Sequence, residues 1–223
     1  MTPDLPEEEK PPVHTHNFAA MVTKATVKTN GVRISRCSCG TIKSQEVIYS
    51  PEKITLSAVS KTYTGKAQKP DIKVTDKNGK LISSSNYKVT YQNNVNVGRA
   101  SVTICFQGDY SGELKKSFDI IPKRPSLTKL VPKSKGFVAK WKKQGKQAAG
   151  YQIQYSTSKK FAKKSSDTIT VKSNKTTSKK LSVKKAGKRY YVRIRTYKNV
   201  KVNGKTKKFY SEWSNAKTVK TRK

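Results

Sequence analysis

Apolar residues in this chain recur at every second position in short runs, and that spacing constrains the fold more than any other feature. Tyr87-Lys-Val-Thr-Tyr91 places Tyr87, Val89 and Tyr91 on one face, and Ala100-Ser-Val-Thr-Ile104 does the same with Ala100, Val102 and Ile104. Phe137-Val-Ala-Lys-Trp141, Tyr151-Gln-Ile-Gln-Tyr155, Thr168-Ile-Thr-Val-Lys172 and Tyr190-Tyr-Val-Arg-Ile194 repeat the pattern. No stretch of about ten residues carries the apolar period of a helix. Turn formers lie between the runs: Asn78-Gly79, the group Asn93, Asn94, Asn96 and Gly98, and Asn203-Gly204. Asn and Gly tolerate the positive φ of a type I′ hairpin turn. The expected fold class is all-β, with two tandem antiparallel β-sandwich modules after a small His/Cys segment.

Hydrophobic residues make up 33% of the 223, below the roughly 45–50% usual for globular chains. Half-buried strands need only one apolar face, so several small cores are expected. Residues 1–12, with acids and Pro11-Pro12, read as a disordered acidic linker. The small His/Cys segment follows at 13–50, a first β module at 51–122 and a second at 123–223, joined through Lys123-Arg-Pro125. The start lacks the apolar stretch of a signal peptide. No apolar run reaches the roughly 18 residues of a membrane span, and Thr218–Lys223 does not look like a wall-sorting signal. Neither leader nor anchor is expected in this chain.

The net charge is +36 and unevenly spread. From Arg124 to Lys223 there are 31 Lys and Arg against two acids, Asp167 and Glu212; the preceding residues hold 18 basic and 11 acidic ones. Such a field binds polyanions by counterion release, whether nucleic acid, anionic wall polymer, acidic lipid or sulfated glycan. A solvated Lys-rich surface with no intended partner is the other reading.

Both histidines, His14 and His16, and two of the three cysteines, Cys37 and Cys39, fall close together in sequence. Imidazole and thiolate form the ligand set tetrahedral zinc prefers, and a segment too small for a core gains most from a metal staple. The spacing Cys37-Ser-Cys39 is one residue shorter than a zinc-knuckle pair, which narrows the bite. Exposed histidines and free thiols are the alternative. A Cys37–Cys39 disulfide is disfavoured by its short, strained loop. With four protein ligands, the zinc would be structural. Cys105, beside Phe106, reads as a buried free thiol.

Nothing suggests an enzyme. No Gly-rich phosphate loop, Gly-x-Ser-x-Gly or His-Glu-x-x-His occurs, and no histidine follows His16. No catalytic residue and no cofactor other than a structural zinc is expected.

Three resemblances give these observations a context. Tyr63-Thr-Gly65, Pro70, Asn86-Tyr87, Tyr91-Gln-Asn-Asn94, Asn96-Val-Gly98, Gly108–Gly112 and Phe118-Asp-Ile120 resemble the Ig-like repeats of Gram-positive surface proteins. Pro125, Leu127, Trp141, Gly150–Tyr155, Leu181, Val183, Ala186-Gly187 and Tyr190–Ile194 resemble a fibronectin type III domain. That resemblance implies that Tyr190 is a tyrosine corner whose hydroxyl returns to backbone just upstream. Tyr190, Val192 and Ile194 then face inward, with Tyr191, Arg193, Arg195 and Tyr197 outside. Trp213, in a Trp-Ser motif, stacks on Arg193 or Arg195, or else contacts a ligand such as a sugar ring. The His-Thr-His start and Cys-Gly end of the first segment resemble a short bacterial surface repeat, whose cysteines usually stand two residues apart.

These resemblances imply a multi-domain, Firmicutes-type protein, extracellular or at the cell surface: a non-catalytic adhesion or spacer protein. Its partners would be an anionic cell-wall polymer, a glycan or an extracellular protein, with nucleic acid bound only non-specifically and no oligomerisation signal. The alternatives are a dedicated binder of nucleic acid or sulfated glycan, and accessory modules of a longer surface enzyme. Arg-Gly-Asp is absent. The hairpin Lys198–Lys208 reads either as a solvated loop or as a basic contact for an anionic partner.

Overall fold

The computed structural model describes residues 14–223, so the linker expected at 1–12 lies outside the described residues. Among them the chain is built of β-strands and two single-turn 3-10 helices, as the two-residue apolar period requires. No helix there is long and apolar enough to cross a membrane.

The first strands are β1 (Phe18–Thr23), β2 (Ala25–Thr26), β3 (Gly31–Cys37) and β4 (Ile42–Ile48), and β1, β3 and β4 form an antiparallel sheet in that order. Next come β5 (Pro51–Leu56), β6 (Ser60–Thr62), β7 (Ile72–Asp76), β8 (Tyr87–Gln92), β9 (Gly98–Phe106), β10 (Tyr110–Ser111) and β11 (Glu113–Ile121). They give a four-stranded sheet β6-β11-β9-β8 and a two-stranded sheet β5-β7. Ala100, Val102 and Ile104 of β9 are each buried, as their alternation requires.

The Asn78-Gly79 turn differs from a type I′ hairpin. Only Gly79 has positive φ, at 78°, and its N–H donates to the Asp76 carbonyl at 3.0 Å. The Asp76 carboxylate accepts from the N–H groups of Asn78 and Lys80, both at 2.9 Å, and so sets a different turn. The type I′ pattern occurs instead at Asn203-Gly204, where both residues have positive φ between the paired Val202 and Lys205.

The C-terminal module contains β12 (Leu127–Lys133), β13 (Gly136–Trp141), β14 (Gly150–Ser156), β15 (Ser166–Val171), β16 (Ser178–Ser182), β17 (Arg189–Val202), β18 (Lys205–Tyr210) and β19 (Lys217–Lys220). One sheet runs β12-β13-β16, and the other β15-β14-β17-β18 with β19 also on β17. Between them lies one core of Phe137, Trp141, Tyr151, Ile153, Leu181, Val192, Ile194 and their neighbours. Tyr190 makes the expected corner: its hydroxyl donates to the Lys185 carbonyl at 3.1 Å. The fold is thus all-β, and the C-terminal part is a fibronectin type III-like sandwich.

The described residues gather into two compact units. One comprises residues 14–54, Lys73–Lys88 and Ile104–Leu114; the other comprises Thr55–Ile72, Val89–Thr103 and Lys115–Lys223. Residues 51–122 contribute to both.

Candidate functional site

The His/Cys cluster follows from strand register. In the antiparallel pair β1–β3, Phe18 stands opposite Cys37 and Ala19 opposite Arg36. Continuing that register past the strand ends brings His16 opposite Cys39. Side chains two residues apart share a face, and directly opposed residues point the same way. His14, His16 and Phe18 therefore gather on the face that carries Cys37 and Cys39. A turn after β3 completes the arrangement: the Gly40 N–H donates to the Cys37 carbonyl at 2.9 Å, and Gly40 adopts a φ of +97°. Glycine reaches that conformation without strain, so the chain reverses immediately after Cys39.

One ligand atom from each of His14, His16, Cys37 and Cys39 lies within 4.8 Å of every other. Cys37 Sγ is 3.9 Å from His14 Nε2, and Cys39 Sγ is 3.3 Å from His16 Nδ1. Cys37 is buried, and the other three are exposed. The histidine rings meet edge to face at 4.4 Å, and Phe18 stacks on His16 at 5.5 Å. Thr41, whose hydroxyl is 3.3 Å from Cys39 Sγ, escaped the sequence reading. Its nearness in sequence, two residues beyond Cys39 across the Gly40 turn, was the available signal.

Thiol and imidazole groups in this cluster shift one another toward their charged forms. The Cys39 N–H, then the imidazoles of His14 and His16, hold the Cys37 thiol down to about 5. The hydroxyl and then the N–H of Thr41 lower Cys39. Hydrogen bonds to Cys37, then Cys39, raise both histidines. The cluster thus favours thiolate, the form that ligates metal. All three cysteines are free, with Cys105 half-buried.

On the outer face of the C-terminal sandwich, Trp213 is held by an intramolecular stack. Arg193 lies 4.1 Å from the Phe161 ring centre and 4.7 Å from that of Trp213; Arg195 lies 4.4 Å from Trp213 and 3.9 Å from Tyr210. The guanidinium groups are fixed from the side by Gln154, which accepts from Arg193 Nε at 2.7 Å, and by Gln152, which accepts from Arg195 Nη2 at 2.7 Å. Desolvation in this stack lowers the pKa of both arginines. The Ser211 and Ser214 hydroxyls accept from the N–H groups of Thr196 and Ile194 at 3.0 and 3.1 Å, which sets Trp213 over β17. Tyr190, Val192 and Ile194 face inward as expected, but Tyr197 is buried. Its ring rests on Gly150, where even a Cβ would come within 3.0 Å of it.

The hairpin β17–β18 is not a free loop. Val200 and Val202 pack against a cluster in which Phe209 joins Val97, Ala100, Phe118 and Ile120. Around it, Lys207 pairs with Asp119 at 3.4 Å, and Thr196 Oγ1 donates to the Lys123 carbonyl at 2.7 Å. Gln147 accepts from the Val97 N–H at 3.2 Å and from Lys198 Nζ at 2.5 Å. The alternation of Val200 and Val202 among lysines was the signal for this burial.

No family model matches the chain, and no curated protein matches its sequence. Among solved structures, the chain is similar to the FN1-FN3 domains of chicken CNTN1, at 14% identity and a TM-score of 0.37, over 87% of this chain and 78% of that one. It is also similar to a beta-1,2-glucanase from Parabacteroides distasonis, at 16% identity and a TM-score of 0.29, over 56% of this chain and 18% of that one. At these scores neither likeness bears on function.

Proposed function

We propose that this chain is a non-catalytic cell-surface or secreted protein of Gram-positive type, which presents β modules on a held joint and associates with an anionic cell-wall polymer, a glycan or an extracellular protein. The observation that carries this reading is the shared core in which Phe209 of β18 is buried with Val97, Ala100, Phe118 and Ile120. A spacer is useful when its joint resists bending, and a buried apolar core resists it far better than a polar linker. The ion pairs of Asp119 with Arg99, at 2.5 Å, and with Lys207 form a polar rim to that core.

The charge supports an anionic partner, since 31 basic residues face two acids from Arg124 onward. Nucleic-acid recognition through a stacking platform is less favoured. Arg193 and Arg195 are already sandwiched between aromatic rings, and Tyr197 is buried. Catalysis finds no support in the C-terminal module, which has no histidine and only Asp167 and Glu212 as acids.

Retention on purified wall polymer, heparin and DNA across a salt series tests the proposal. Wall polymer is expected to hold the protein to the highest salt, with DNA released early. Retention by DNA or heparin beyond wall polymer would favour a dedicated polyanion binder. Release from all three at physiological salt would leave a spacer without an anionic partner.

A further inference from the structure

We propose that His14, His16, Cys37 and Cys39 bind one zinc ion in a closed structural site that staples the ends of β1 and β3. The inference goes beyond the display function and stands on separate residues. In a tetrahedral site with Zn–S near 2.3 Å and Zn–N near 2.0–2.1 Å, ligand atoms lie roughly 3.3–3.8 Å apart. Here the four ligand atoms lie within 4.8 Å of one another, and two of the four sulfur–nitrogen pairs, Cys37–His14 and Cys39–His16, stand at 3.9 and 3.3 Å. Closing on the metal therefore needs side-chain rotations and no movement of the strands. The narrow Cys-x-Cys bite is relieved by the turn at Gly40, which brings Cys39 to the same face as Cys37.

A second observation points the same way. The sheet β1-β3-β4 has almost no core: Met21, Val22, Ile42 and Val47 are exposed, and every residue of β4 except Ile48 is exposed. A three-stranded sheet needs a packed face or a covalent or metal staple to persist. No disulfide supplies one, because Cys37 and Cys39 are both free.

The donor set selects the metal. Two imidazoles and two thiolates in tetrahedral reach suit zinc, whereas calcium and magnesium require oxygen ligands that this cluster lacks. Four protein ligands leave no position for substrate, so the site serves stability. The Thr41 hydroxyl accepts from the Cys39 thiol at 3.3 Å, and once that thiol is ionised the same hydroxyl is within reach to donate the kind of outer hydrogen bond that orients a thiolate ligand. Exposure of His14, His16 and Cys39 leaves the ion a route in.

The test is elemental analysis of the full chain after exposure to zinc and gel filtration, paired with alkylation of its thiols read by mass spectrometry. Stoichiometric zinc is expected, with Cys37 and Cys39 protected until a chelator is added and Cys105 labelling at an unchanged rate. Cobalt(II) in place of zinc should give the intense visible bands of a tetrahedral thiolate site. Cys37→Ser and the exposed His16→Ala should each lose the metal, and Cys105→Ser should keep it. His16→Ala keeps the test valid if loss of the buried Cys37 thiol unfolds the sheet. Zinc absent from the unmodified chain, or retained in both Cys37→Ser and His16→Ala, would overturn the assignment. Neither result would touch the display reading, which rests on the core around Phe209.

Discussion

In β14 and β17 of the C-terminal sandwich the alternate residues Tyr151, Ile153, Tyr155, Tyr190, Val192 and Ile194 are all buried, whereas in β1 only Phe18 is even partly covered. Both regions are written in short strands and both pair their backbones in antiparallel register. Backbone pairing alone contributes little net stability, because the unfolded chain bonds equally well to water. The sandwich adds to it a core sealed between two sheets. The N-terminal sheet has no second layer among its own strands and carries, at one end, two imidazoles and two thiols. The same strand grammar is thus completed by apolar burial in one place and, under the proposed zinc assignment, by a ligand set in the other.

If that contrast holds, the two regions fail under different insults. Phe137→Ala should cost the sandwich about 3–5 kcal/mol, the usual result of emptying a buried aromatic site. Denaturant unfolding followed by Trp fluorescence checks the size, and thiol protection of Cys37 and Cys39 should not change. Stripping zinc should do the reverse. With zinc a thousandfold above its dissociation constant, removal withdraws about 4 kcal/mol from the N-terminal sheet, read as lost amide protection in β1 and β3. Tyr190→Phe, which deletes the corner hydroxyl and its bond to Lys185, should lower sandwich stability by about 1 kcal/mol. Arg193→Lys keeps the charge but loses the flat guanidinium between Phe161 and Trp213; the expected loss is about 0.5–1 kcal/mol.

The smallest effect sharpens the comparison through pH. In the metal-free chain, Cys37 titrates near 5, well below an ordinary thiol. A depressed thiol contributes stability that is complete above its unfolded value and lost as pH falls through the folded one. The raised histidines contribute below the ordinary imidazole value and lose that contribution as pH rises through their folded values. On the acid side, order in the β1–β3 pair should therefore decline as pH falls through about 5. The thiolate ultraviolet absorption of Cys105→Ser checks this, and the sandwich should show no matching transition.

Much of the sandwich was legible because alternation reports directly on which face is buried. Trp141, the tyrosine corner at Tyr190 and the inward set of β17 could all be read from one-dimensional spacing. The misses share a cause, which is that the deciding partner is remote or is a side chain acting on backbone. Tyr197 is buried because the facing residue is Gly150, across the β14–β17 ladder. Asn78-Gly79 makes a different turn because the Asp76 carboxylate takes two of its N–H groups. The hairpin Lys198–Lys208 read as a solvated or basic loop because the cluster that Val200 and Val202 pack against, with Ala100, Phe118 and Ile120, comes largely from another part of the chain. The His/Cys cluster was visible as composition, but its convergence depends on the register that sets Phe18 opposite Cys37.

Hydrogen–deuterium exchange of the full chain, run with saturating zinc and again with a chelator, tests the contrast most directly. The account predicts that amides of β1 and β3 lose their protection when zinc is removed, while those of β13, β14 and β17 keep theirs. Equal protection of β1 and β3 in both conditions would contradict it, because the sheet would then hold without its ligand set.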